Sequence, residues 1–490
     1  MYEPKQPERE EKLFELAVRA GKFMRQKFPG LKLLVGNSGG SAGTVAMLMR
    51  RGYPRELIDY LGSETTGQTI APERLMVHTT AGLWILKETG RRFGHDIPLS
   101  GCYEFTCRAE RDLTPRTHAE WYTRDMLFGL AYRFPTISPG ELEDVGNAYY
   151  DSFYGAAGIC ERRGLWYPKR AYVAMATLTK VLDRVELLRQ VPTGSLSAHA
   201  LEFRRGDSTV YALWTPRGEC GMEMRFPQGT SVEVVDFYGR PRPLALEGGR
   251  VVVGAAPSVC YVIASKKAES CVAGARSFSS DQRPATVQVL AGVSELDKWQ
   301  LGGEEPRLKT PTLRHGAFAM RRVDDRERGA CIELELKREG ALPDIVGEYA
   351  SLRLREPVAI VGDPHTMGVW IKGDSSGGRV YWEVEDAKGE RWISNGGYDG
   401  GDWGNHSAIN FDGWCYMTFP IGTGSPANHL EPGRGLGQWK GDGDGKLDLP
   451  VKLTGLYVET HRKGLDLTEM KPVTERIRIQ EVGVLVKKVE

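Results

Sequence analysis

Glu104 is the residue whose surroundings most demand a chemical use. It stands in Ser100-Gly-Cys-Tyr-Glu-Phe105, between Tyr103 and Phe105 and close to Cys102 and Cys107. Such neighbours belong to the end of a buried strand, where a carboxylate is costly unless it is used. Glu3, Asn37 and Glu64 occupy comparable points beside short apolar runs, and Tyr149, Tyr150 and Tyr154 form an aromatic group further along. A carboxyl so placed can exchange a proton or attack a substrate, while asparagine and tyrosine can orient one.

The elements that must carry these residues follow a regular alternation. Leu13, Leu16, Ala17, Ala20, Phe23, Met24 and Phe28 recur near a 3.6-residue period between Pro7, suited to a helix start, and Pro29-Gly30, suited to a stop. Apolar strand-like runs at 31–36, 57–61 and 97–105 are separated by helical patterns at about 42–51 and 72–89, and helices are expected at about 117–133 and 169–184. A short strand near 135–138 and a long loop through Tyr154 stand between the last two helices. Alternating strands and helices with apolar strands predict a parallel sheet covered by helices, whose chemistry sits at the C-terminal strand ends. A closed (β/α)8 barrel needs eight such units over about 250 residues. About five strands are found in the first 185 residues, so the fold expected for 1–190 is part of a TIM barrel.

From about residue 195 to 265 the apolar pattern changes to a period of two, with turns such as Arg205-Gly-Asp207 between the runs, which predicts a small β-sandwich. Residues 266–284 are rich in serine, alanine and charge and read as a linker. Residues 285–490 read as a second, jelly-roll-like β-sandwich. This last part holds Trp370, Trp382, Trp392, Trp403, Trp414 and Trp439. Aromatic faces stack on sugar rings, and Trp392 and Trp403, flanking the loop Asn395-Gly-Gly-Tyr-Asp-Gly-Gly401, are the two expected to be exposed for that purpose.

Several motifs together resemble the retaining glycoside hydrolases of clan A, with a family 39-like character, over roughly residues 1 to 265. Tyr2-Glu3-Pro4 resembles the strand-four motif whose glutamate is the acid/base, with tyrosine where asparagine is usual; Ser100-Gly-Cys-Tyr-Glu-Phe105 resembles the strand-seven end whose glutamate is the nucleophile. Tyr154-Gly-Ala-Ala-Gly158 and Tyr167-Pro-Lys-Arg-Ala-Tyr-Val173 are similar to the family's last loop and final helix. The resemblance implies a retaining O-glycosidase acting on a polysaccharide or oligosaccharide by double displacement, with Glu104 as nucleophile and Glu3 as acid/base. Asn37, Glu64, Tyr103, Tyr150, Tyr154, Trp392 and Trp403 are the expected substrate contacts. The two carboxyls would stand about 5 Å apart across the barrel. The match begins inside strand four, so weak activity in isolation and self-association through bare apolar surface are expected, and a full-length relative is expected to be secreted or periplasmic. The competing reading is a non-catalytic carbohydrate-binding protein.

Composition narrows the alternatives. With 65 basic and 64 acidic side chains in 490 residues, the net charge of +1 favours a neutral substrate over nucleic acid or an anionic membrane. No run of 18 apolar residues suggests a membrane span, and the first residues show neither a basic nor an apolar leader region. Gly36-Asn-Ser-Gly-Gly-Ser-Ala-Gly43 lacks the lysine of a phosphate loop, and Asp442-Gly-Asp-Gly-Lys446 puts lysine where a calcium loop needs a ligand. The eight cysteines show no CxxC spacing, and His78 and His118 fall inside helices as packing or surface residues. No metal and no cofactor is expected.

Overall fold

The computed structural model describes residues 7–36, 41–64, 71–73, 83–102, 114–136, 140–144, 155–162, 164, 166–278, 288–305, 308, 313–338, 346–362, 364–394, 408–420, 437–440, 447–465 and 470–486. In the first part, α1 (Pro7–Lys27), β1 (Leu34–Gly36), α2 (Ser41–Arg50), β2 (Tyr60–Glu64), α3 (Leu83–Arg92), β3 (Leu99–Cys102), α4 (Pro115–Ala131) and α5 (Arg170–Val181) follow in order. The three strands are parallel and adjacent in the order β1-β2-β3. Leu61 and Leu99 of the sheet share a core with Val45 and Leu86 of the covering helices. The expected strand 57–61 begins later, because Arg55–Leu57 closes a short 3-10 turn after Pro54 and only then does the chain extend. Gly36 meets Gly62 so closely that a Cβ on Gly36 would lie 1.8 Å from the Gly62 carbonyl oxygen. Residues 135 and 136, expected in a strand, are not in one.

The second part contains β4 (Glu186–Gln190), β5 (His199–Arg205), β6 (Ser208–Trp214), β7 (Cys220–Arg225), β8 (Val232–Val235), β9 (Pro241–Leu244), β10 (Arg250–Ala255), β11 (Cys260–Ala264) and β12 (Ser270–Ala273). They form a six-stranded sheet, β4-β5-β6-β11-β8-β9, and a three-stranded sheet, β10-β7-β12. Both faces of the larger sheet are buried at its centre, on β6. Val210, Ala212 and Trp214 pack with the helices of the first part, while Tyr211 and Leu213 pack with Met222 and Met224 of the smaller sheet. That two-sided burial explains why β6 reads as a nearly continuous apolar run. β12 lies inside the stretch read as a linker, where Ser270–Ala273 completes the smaller sheet against β7.

The third part comprises β13 (Gln288–Ala291), β14 (Trp299–Leu301), β15 (Leu313–His315), β16 (Phe318–Asp325), β17 (Gly329–Leu336), β18 (Gly347–Ala359), β19 (Pro364–Asp374), β20 (Val380–Glu385), β21 (Arg391–Ile393), β22 (Asp412–Pro420), β23 (Gly437–Lys440), β24 (Lys452–Thr460), β25 (Lys463–Leu465), β26 (Met470–Pro472) and β27 (Arg476–Val486). One sheet runs β16-β17-β27-β19-β22 with β13 on β27, and the other runs β14-β18-β24-β20-β21-β23 with β15 on β18. Val369, Ile371, Trp382, Trp392, Leu456 and Ile479 belong to the core they share. Arg276 Nη2 and Ser197 Oγ both donate to Asp412 Oδ1, at 3.0 and 2.8 Å, and Arg217 donates to the Ala408 carbonyl at 3.1 Å. These contacts join the two β-sheet parts.

Candidate active site

The register of the parallel sheet defines one edge. Gly36 pairs with Gly62 and Glu64 pairs with Cys102, so the three strands end side by side and their C-terminal residues share that edge. In the sequence Asn37 directly follows β1, Glu64 closes β2, and Tyr103 and Glu104 directly follow β3.

A loop clamp that sequence reasoning missed joins α4 and α5. Thr114 caps the N-terminal turns of α4 by accepting from the Thr117 N–H. Two side chains of those turns grip the carbonyl of Ala157. Tyr122 donates its hydroxyl at 2.8 Å, and His118 Nε2 lies 3.1 Å from the same oxygen. Lys169, the residue before α5, donates to the Ala156 carbonyl at 3.1 Å and to Asp144 Oδ1 at 2.5 Å. Asp144 Oδ1 also accepts the Gly158 N–H at 3.0 Å. A Cβ on Gly158 would lie 2.2 Å from the Glu143 carbonyl carbon, so glycine is the residue that lets the two backbones meet. Burial, reinforced by the Lys169 ammonium, lowers the His118 imidazole to about 3, so it is neutral and can donate from one ring nitrogen only. The motif Tyr167-Pro-Lys-Arg, read as a family signature, therefore has a physical task in Lys169: it pins the last loop to the helix ends.

A buried ion pair is also held by α4. Arg124 Nε and Nη2 reach the two oxygens of Glu73 at 2.6 and 3.2 Å, with the side chains 1% and 2% exposed, and Arg124 Nη1 donates to the Pro257 carbonyl at 3.0 Å. Glu73 also borders a small cleft between the three parts of the chain, whose lining includes His199, Ser375 and Asn410. Among the described residues no group of histidine, cysteine, aspartate or glutamate side chains has the arrangement of a metal site, and no described helix is long and apolar enough to cross a membrane.

The expected site residues fare unequally. Glu3, Asn37, Tyr103, Glu104, Tyr150, Tyr154 and Trp403 lie outside the described residues, and of Glu64 only the backbone is described. Trp392 corrects the expectation of an exposed sugar platform. It lies in β21 with 0% exposure, packs in the core of the last sandwich, and donates its indole N–H to Asp386 Oδ2 at 3.0 Å. Its place beside a glycine-rich loop marked the end of a strand; the side chain faces inward because alternate β21 residues point to the opposite sheet. Trp382 is buried in the same core, and Trp370 lies half-buried beneath the Arg328 guanidinium at 3.5 Å.

The class defined here is a parallel α/β sheet with its candidate edge, followed by antiparallel β-sheet parts. No family model matches the chain, and no curated protein matches it. Among solved structures it is similar to a family 39 glycoside hydrolase from the gut symbiont Bacteroides cellulosilyticus WH2, at 16% identity over 51% of this chain and 54% of that one, with a TM-score of 0.41. It is similar to a family 30 subfamily 8 xylanase from Clostridium acetobutylicum at 10% identity over 52% and 60% of the two chains, with a TM-score of 0.35. It is also similar to a family 11 carbohydrate-binding module of a cellulosomal cellulase of Clostridium thermocellum, at 11% identity over 42% and 98% of the two chains, with a TM-score of 0.25. The chain spans 54% and 60% of the lengths of the two hydrolases.

Proposed function

We propose that this chain belongs to a carbohydrate-degrading protein. Residues 1–190 form the C-terminal part of a (β/α)8 barrel of a clan A, family 39-like retaining glycosidase, with Glu104 as nucleophile and Glu3 as acid/base. The β-sandwich parts follow at 195–265 and 285–490. Asn37, Glu64, Tyr103, Tyr150 and Tyr154 line the substrate site in this reading. The observation that carries it is the sequential parallel order β1-β2-β3, whose register brings the strand ends preceding Asn37 and Glu104 to one edge together with Glu64. In the double displacement, the Glu104 carboxylate attacks the anomeric carbon while the protonated Glu3 carboxyl gives its proton to the leaving oxygen; Glu3 then takes a proton from the water that releases the sugar.

Incubation with activated 2-fluoroglycosides, followed by peptide mass spectrometry, tests the assignment. A covalent label on Glu104, and loss of aryl glycoside hydrolysis in Glu104→Gln, is the expected result. A label on another carboxylate, or turnover that survives Glu104→Gln, overturns it. Glycan binding with neither label nor turnover supports the non-catalytic carbohydrate-binding alternative instead.

A further inference from the structure

We propose that the outer face of the sheet β16-β17-β27-β19-β22 binds an acidic polysaccharide, one bearing carboxylate or sulfate groups, through cations presented above buried carboxylates; this rests on the reading of the chain as part of a carbohydrate-degrading protein. The register builds the face. Arg321 of β16 pairs with Glu333 of β17, Glu333 with Arg478 of β27, and Arg478 with Lys372 of β19, so four adjacent strands set these side chains in one row. Their chain neighbours Ile332, Leu334, Ile371, Ile477 and Ile479 belong to the shared core, and alternation along each strand turns the row away from it. Glu335 and Arg476 pair in a second row beside the first.

Depth separates the two signs of charge. The side chains of Glu333 and Asp325 are 1% and 0% exposed, whereas Arg321 is 52% exposed, Arg476 49%, Lys337 46%, Lys372 31% and Arg478 29%. The acids hold these cations from beneath. Glu333 accepts from Arg321 at 2.6 Å and Arg478 at 2.9 Å, Asp325 from Lys372 at 2.8 Å and Arg478 at 2.5 Å, and Glu335 from Arg476 at 3.0 Å and Lys337 at 3.1 Å. Five cations thus share three carboxylates, an excess of two positive charges at the surface. Glu327, beside Lys372, and Arg328, stacked on Trp370 at 3.5 Å, are one of each sign and leave that excess unchanged. The chain's net charge of +1 averages this local excess away.

The size of the excess selects the ligand. The row spans about 14 Å from its first strand to its fourth, at roughly 4.8 Å per strand. A nucleic-acid duplex carries about eight phosphates over that length, far more than two cations balance. A glycan with an oxyanion on some of its rings spaces its charges more widely, and carboxylate and sulfate oxygens match the planar guanidinium fork. Exposed ion pairs contribute little, so Arg321 and Arg476 can turn to a ligand at small cost while the buried acids keep their other partners.

Affinity electrophoresis with polygalacturonate, sulfated galactan, neutral galactan or duplex DNA as the polymer tests the face, in the Glu104→Gln background so that no glycan is cleaved. At least one acidic glycan is expected to retard the protein, less so as salt rises. Arg321→Gln with Arg476→Gln is expected to weaken that retardation at least fivefold, and Arg321→Lys with Arg476→Lys to restore most of it. In the glutamine variant Glu333 keeps Arg478 and Glu335 keeps Lys337, so the melting temperature is expected to hold. Retardation that is absent with both acidic glycans, equal with neutral galactan, stronger with DNA, or unchanged in the glutamine variant overturns the proposal. The 2-fluoroglycoside label on Glu104 is read separately with small aryl donors in the parent chain. A label without retardation removes only this face, and retardation without a label removes only the catalytic assignment.

Discussion

Lys169 Nζ stands 2.5 Å from Asp144 Oδ1, both side chains 13% exposed, and this contact ties the start of α5 to the loop that holds Asp144. Removing one member of such a pair leaves an uncompensated charge in a poorly solvated place. Lys169→Met is expected to destabilise the protein by about 3 kcal/mol, near the lower end for a broken buried pair because some water reaches it. Urea unfolding of both single variants and of the double variant Asp144→Asn/Lys169→Met checks this. The double variant should recover part of the loss, and strict additivity would show that the two groups do not interact.

His118 is pushed down to about 3 by burial and then by Lys169, against an ordinary value of 6.5. A base whose folded value is depressed contributes stability that is fully present above about pH 6.5 and is lost as pH falls toward 3, because the unfolded chain takes up a proton that the folded protein refuses. Between those limits the loss should approach about 1.4 kcal/mol per pH unit for this one group. His118→Gln should flatten that part of the stability profile. In Lys169→Met the His118 resonance in an NMR titration should move to a higher midpoint; an unmoved midpoint would remove Lys169 as a cause.

α1 carries two apolar stripes. Phe14, Ala17 and Val18 pack against the core, whereas Leu13 at 46%, Leu16 at 62% and Phe23 at 58% exposure face outward, followed by Phe28, Leu31 and Leu34 on the way into the edge strand β1. Bare apolar surface beside a strand that ends the sheet among the described residues favours association. The chain is expected to self-associate with rising concentration in analytical ultracentrifugation, and Leu16→Glu with Phe23→Glu is expected to shift it toward monomer. A protein that stays monomeric across the concentration range would refute this.

Asp325 in the last sandwich is expected to set part of the acid stability. Its burial opposes ionisation, yet donors from Lys372, the Trp414 indole, the Glu327 N–H and Arg478 outweigh it and hold the carboxyl well below the usual 3.8. A depressed carboxylate contributes stability that is complete above the unfolded value and is lost as pH falls through the folded one, so the effect should appear only below about pH 4. Asp325→Asn, which keeps the shape but not the charge, should cost about 2–3 kcal/mol at neutral pH and progressively less as pH falls from about 4 toward 2. Thermal melts across that range measure it.

Local pattern carried the architecture a long way. The apolar runs at 31–36 and 97–105 and the helical periods between them announced parallel strands under helices, because a side chain's periodicity is a property of its neighbours along the chain. The period of two after residue 195 announced antiparallel sheets for the same reason. Sequence could also name Lys169 as part of a motif, but only the folded chain gives it Asp144 and Ala156 as partners, residues 25 and 13 positions away. β12 was invisible because Ser270–Ala273 is a strand only by pairing with β7, some 45 residues earlier. Trp392 shows the limit most plainly: a tryptophan beside a glycine-rich loop has the same sequence signature whether it stacks on a sugar or fills a core. Which of these occurs depends on the sheet that packs across from it, and that contact exists only in the tertiary structure.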